Sequence, residues 1–120
     1  MDMYCEHKEH EILCIRLVGR MDVEGTQTVE SPLMEESIAV PSGRVAVDLG
    51  ELDYLASVGL GCLVHTAQAV TKRQGRLVLI NPQPLVSKVL HDTGLNLHVH
   101  VFESWPAASQ FLQQLPPPTA

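Results

Sequence analysis

The residues best placed to do chemistry gather where a predicted strand gives way to a predicted helix, at Ala56-Ser57-Val58-Gly59-Leu60-Gly61. The first turn of a helix carries unpaired N–H groups and positive partial charge, which favour an added anion. Ser57 holds the only hydroxyl in those six residues. It could accept a phosphate, which would bring nearly two negative charges to the surface; the simpler reading is a helix N-cap or a locally bonded loop hydroxyl. Asp48 and Asp53 lie near the carboxyl end of the preceding strand, but no Ser/His/Asp order or acid pair accompanies them, and His65 is expected to face solvent or the helix edge. Asp48 is expected to bond loop amides, and no catalytic residue is assigned.

The six histidines raise the question of a metal. His98 and His100 alternate on a predicted strand and would share a face, while His7 and His10 bracket a predicted hairpin turn. Neither pair is joined by a thiolate pair or a carboxylate at ligand spacing, so no metal or other cofactor is expected. Gly59 and Gly61 lack the Lys and Ser/Thr that complete a phosphate-cradling loop. Cys62, Met21, Met34 and Trp105 read as packing groups.

The elements that must position these residues follow from periodicity. Val45 to Leu49 is a short apolar run that fits a buried central strand, and Gly50 to Leu55 reads as a loop. Leu60, Leu63, Val64, Ala67 and Val70 then fall at helical spacing. Lys72 and Arg73 sit at that helix's negative end, and Gly75 stands where a left-handed cap is expected. Upstream, Met3 to Cys5 and Ile12 to Val18 predict a hairpin. Asp22 can cap a helix running toward Ile38, with Val23 or Thr26, Val29, Leu33 or Met34, and Ile38 inward; Pro32 predicts a kink or a later start.

Downstream, Arg76 to Ile80 is a second apolar strand. Asn81-Pro82-Gln83-Pro84 leads into a short helix with Leu85, Val86, Val89 and Leu90 on one side, ended by Gly94. Leu97 to Phe102 predicts a last strand. Ser104 offers an N-cap to a helix carrying Ala108, Phe111, Leu112 and Leu115. The order is ββαβαβαβα: one α/β domain over residues 1–115 with a mixed, mostly parallel sheet packed by helices, then a Pro-rich tail over 116–120.

At 120 residues the chain is long enough for one hydrophobic core. Eight Lys and Arg against fourteen Asp and Glu give a net charge of -6, which argues against gripping phosphate backbones or anionic lipid. Nucleic acid is not expected as a partner. Three cysteines without a C-x-x-C, no basic segment followed by a long apolar run at the start, and no apolar stretch near the ~20 residues of a membrane span together predict a reduced, cytoplasmic protein that does not insert in a membrane.

Taken together, Val45 to Leu49, Ala56 to Gly61 and Arg76 to Pro82 resemble the STAS domain, the fold of bacterial anti-sigma factor antagonists. Gly19-Arg20-Met21-Asp22 is similar to that family's Gly-x-Leu-Asp, and Val89-Leu90 with Thr93-Gly94-Leu95 matches the end of its third helix. The family signature Asp-Ser-Ser-Gly-Leu-Gly reads Ala-Ser-Val-Gly-Leu-Gly here, so Ser57, Gly59, Leu60 and Gly61 match. In switchable members the second serine, or a threonine there, accepts phosphate from an anti-sigma kinase. Val58 stands in that place and has no nucleophilic oxygen; Ala56 replaces the acidic neighbour.

The resemblance implies a non-enzymatic domain that binds an anti-sigma factor, a serine-kinase-like protein, to control transcription without the usual phospho-switch. Asp53 and Ala56 to Gly61 would form the contact surface, and Ser57 is the remaining hydroxyl for modification. The alternative is an accessory STAS subunit of an ABC-type lipid transport complex, with a transporter ATPase as partner.

Overall fold

The computed structural model describes residues 1–116, and four helices pack on a five-stranded sheet in the order β1-β2-β3-β4-β5. The strands are β1 (Asp2–Lys8), β2 (Ile12–Met21), β3 (Arg44–Leu55), β4 (Arg76–Ile80) and β5 (Val101–Phe102); the helices are α1 (Val23–Ile38), α2 (Ser57–Lys72), α3 (Pro84–Asp92) and α4 (Trp105–Gln113). β1 and β2 form an antiparallel hairpin, and every later pairing is parallel. This is the ββαβαβαβα order expected from the sequence. The predicted Pro-rich tail falls almost wholly on residues 117–120, outside the described residues.

Alternation along β2 divides the core in two. Leu13, Ile15 and Leu17 join the larger cluster with Val29 and Leu33 of α1, Leu63 and Val70 of α2, and Val86 and Leu90 of α3. Ile12 and Cys14 point to the opposite face, where Ala108 and Leu112 of α4 cover them. The sheet is therefore buried on both sides at its centre, which is why its strands read as continuous apolar runs. Arg44 ties the layers together at the base: its guanidinium donates to the carbonyls of His10 at 2.8 Å and Leu115 at 3.1 Å.

Several expectations are corrected by tertiary context. The Gly50 to Leu55 segment is no loop, because β3 continues to Leu55 and pairs with the far end of β2. α1 starts at Val23 and runs on through Pro32, held by Val29 and Leu33 buried on either side of it. Of Val23 or Thr26 it is Thr26 that turns inward, and Leu85 is exposed rather than inward. The left-handed residue after α2 is Gln74, at φ 67°, not Gly75. Gly75 is required for another reason: a Cβ there would lie 2.6 Å from the Gly43 carbonyl oxygen.

The last strand is only Val101–Phe102, because Leu95–Leu97 forms a 3-10 turn that leaves Leu97 exposed. His98 and His100 therefore do not alternate along a strand. No group of three or more His, Cys, Asp or Glu among the described residues is placed to hold a metal ion, and none of the described helices is long and apolar enough to cross a membrane.

Burial, with Asp48 nearby, pushes the Cys14 thiol from its ordinary 9.0 up to about 11. A raised folded-state value means that Cys14 leaves stability untouched below pH ~9 and lowers it as pH climbs toward ~11, since the unfolded chain loses that proton first. Urea denaturation across this range should show the decline, and Cys14→Ala should flatten it.

Candidate functional site

A single residue, Ala56, separates β3 from α2. Its N–H donates to the Met21 carbonyl at 3.0 Å, which ties the junction to the end of β2, and its carbonyl accepts from the Leu60 N–H at 3.0 Å to open the helix. Ala56 is thus the N-cap, with extended backbone and no side-chain oxygen to bond the first turn. Ser57, expected as a cap, is instead the first helical residue, and it is exposed. As the first residue of the helix it cannot be the N-cap, because β3 runs to Leu55 and leaves Ala56 in that position.

Val58 follows, 40% exposed at the second helical position. Gly59 turns inward, where a Cβ would come within 2.7 Å of Met21 Cγ and 2.9 Å of Leu55 Cδ1. Only a glycine lets the first turn of α2 sit this close to the ends of β2 and β3. Leu60 packs at the edge of the larger core. Gly61 differs from Gly59, since a Cβ built there meets nothing within 4 Å.

That open space belongs to a groove of about 470 Å³ between α1 and α2. Val58, Gly61, Cys62, His65 and Thr66 line one wall; Glu30, Ser31, Met34 and Glu35 line the other. The floor is closed to chemistry: Thr66 donates to the Cys62 carbonyl at 2.8 Å. Burial first, then the Glu30 carboxylate, pushes the Cys62 thiol above its ordinary value, so it stays protonated and inert at neutral pH. α1 carries Glu24, Glu30, Glu35 and Glu36 with no Lys or Arg, which makes its side of the groove acidic.

Asp53 lies beside this junction on β3, not in a loop. Leu52 pairs with Gly19 and Tyr54 with Arg20, so Asp53 is the extra residue of a bulge, and it is exposed. Gln83 donates to the Gly50 carbonyl at 2.9 Å and reaches Asp53 Oδ1 at 3.4 Å. Asp48 accepts from the Gly50 N–H at 2.8 Å, as expected for a brace of the strand's exit. His65 is exposed.

Sequence reasoning missed two contributors. The acidic wall from α1 lies outside the expected site, because a helix-to-helix groove leaves no mark in one helix's periodicity. Arg20 also borders the junction: its guanidinium stacks over exposed Tyr54 at 4.5 Å and approaches Asp22 at 3.8 Å. Asp22 meanwhile caps α1 by accepting from the Gly25 N–H at 2.8 Å. The Gly-x-Leu-Asp-like stretch could have pointed to this neighbourhood.

The profile of the STAS domain family matches residues 6–108, and the chain belongs to that family. BtrV of Bordetella bronchiseptica, which carries a provisional name as an anti-sigma factor antagonist, is 36% identical over 74 residues, covering 61% of this chain and 64% of that protein. This match spans a little under two thirds of BtrV. The anti-sigma F factor antagonist of Lysinibacillus sphaericus is 28% identical over 98 residues, 79% of this chain and 81% of that one. Among solved structures, the anti-sigma factor antagonist SpoIIAA in its unphosphorylated form superposes with a TM-score of 0.73 at 21% identity, over 92% of this chain and 96% of that one. At that identity the likeness is one of fold.

The two motif glycines should respond oppositely to the same substitution. Gly61→Ala, in open space within a helix, should stabilise the fold by up to about 1 kcal/mol. Gly59→Ala should destabilise it by about 1–2 kcal/mol, because the clash with Met21 and Leu55 outweighs the gain in helix propensity. Denaturant midpoints of the two variants check both signs.

Proposed function

We propose that the chain is a non-enzymatic interaction domain of the cytoplasm that captures an anti-sigma factor of the serine-kinase-like kind, and so controls transcription. The contact surface is the exposed start of α2, Ser57 and Val58, with Asp53 beside it and the α1/α2 groove behind it. Gly59 and Leu60 set the position of that first turn, and Gly61 keeps the groove open. One observation carries the reading: Val58 stands exposed at the second position of α2, the place where the resemblance puts the phosphate acceptor. An apolar surface residue there supports binding and offers no oxygen to modify.

The groove adds a chemical preference. Its apolar and small residues, Met34, Val58 and Gly61, lie beside Glu30 and Glu35. A partner segment with an apolar ridge and a basic flank fits that combination. The relatives above are named as antagonists rather than transport subunits, which weighs against the ABC-transporter alternative. The acidic net charge, -6, supports a protein partner over nucleic acid.

Calorimetric titration of the cognate anti-sigma kinase tests the surface. Val58→Asp places an unpaired charge where the partner must exclude water, and should weaken capture by about tenfold or more. Unchanged affinity, with the fold intact by circular dichroism, would rule this surface out.

A further inference from the structure

The two edges of the sheet are very unequal. β5 ends it with two residues, Val101–Phe102, whereas β1 presents seven, Asp2–Lys8, and every residue of β1 but Met3 is exposed. β1 pairs with β2 without a register shift from Asp2 opposite Val18 to Lys8 opposite Ile12. Its outer edge therefore has no bulge, contains no proline, and is paired with no other strand among the described residues. A long, regular, uncovered edge is a template for another strand.

The sequence of β1 selects what that strand is. A two-fold axis normal to the sheet places two copies of β1 antiparallel while keeping α1 on the same side in both, so each residue meets one of its own parity across the axis. Centred on Tyr4, the pairing would set Asp2 against Glu6; centred on Glu6, it would set Glu6 against itself. Like charges directly opposite are destabilising, which disfavours both. Centred on Cys5, Asp2 meets Lys8 of the second copy and Lys8 meets its Asp2, while Tyr4 lies opposite Glu6 and Met3 opposite His7. This register gives two opposite-charge pairs and no like-charge pair.

We infer that β1 is a self-complementary edge through which two copies of this chain associate, extending the sheet across a dyad at Cys5. The Lys8 ammonium lies at the surface, paired with Glu6 at 3.3 Å and 5.6 Å from the centre of the Trp105 ring, and would share or exchange these contacts on pairing. The self-association is independent of the partner surface proposed above. It builds on the opposite end of the sheet order from β5 and uses none of the residues at the start of α2.

Cys5 supplies a built-in probe. Residues directly opposite across an antiparallel pair have Cα atoms ~4.5–5.5 Å apart, within the ~4.4–6.8 Å range of disulfides. Cys14 and Cys62 are buried and cannot compete for it. Sedimentation equilibrium of the reduced chain over micromolar to millimolar concentration should show a monomer–dimer equilibrium. Mild oxidation at alkaline pH should trap a dimer linked through Cys5 alone.

Lys8→Asp turns both charge pairs repulsive and should lower the association constant about tenfold. Combining it with Asp2→Lys restores opposite charges and should recover association. A chain that stays monomeric to millimolar concentration, a dimer indifferent to Lys8→Asp, or a double swap that fails to recover would each overturn the inference.

Discussion

The hydrogen bond from the Ala56 N–H to the Met21 carbonyl, 3.0 Å long, fixes how α2 leaves the sheet. Strand β3 has no loop in which to adjust, so the helix begins wherever the ends of β2 and β3 put it. Gly59 is the second half of that constraint, because any side chain there would collide with Met21 and Leu55. These contacts together determine which residues of the first turn face outward. Ser57 and Val58 are displayed because Gly59 is buried.

Much of the remaining structure keeps that junction in place. The bulges of β3 against β2, between Asp48 and Glu51 and at Asp53, lengthen the strand so that it reaches the end of β2. Asp48 and Gln83 hold Gly50 from two sides, and Asp22 caps α1 close to where Met21 receives its bond. α1 then runs alongside α2 and supplies the acidic wall of the groove. The site is hydrogen-bonded to the end of β2 at its base and open at its rim.

The element order, the hairpin, the caps at Asp22 and Ser104, and the membership of Gly59 to Gly61 in a helix start were legible in the sequence, because each rests on local periodicity or a local hydrogen bond. What escaped was set by contacts distant in the chain. β3 extends through Gly50 and Asp53 only because β2 offers a partner there; Pro32 stays inside α1 because Val29 and Leu33 are buried around it. His98 and His100 alternate in the sequence, yet the chain turns through Leu95–Leu97 with Leu95 buried, and the strand begins only at Val101. Ser57 lost its capping role for the same reason that Asp53 left the loop: the strand is longer than its apolar run.

The central claim is that the first turn of α2 is a permanent docking surface in which Val58 has removed the phosphate switch. Intact-mass and peptide mass spectrometry of the chain after incubation with its cognate anti-sigma kinase and ATP tests it most directly. The account predicts an unmodified chain that remains bound to the kinase; stoichiometric phosphate on Ser57 would contradict it.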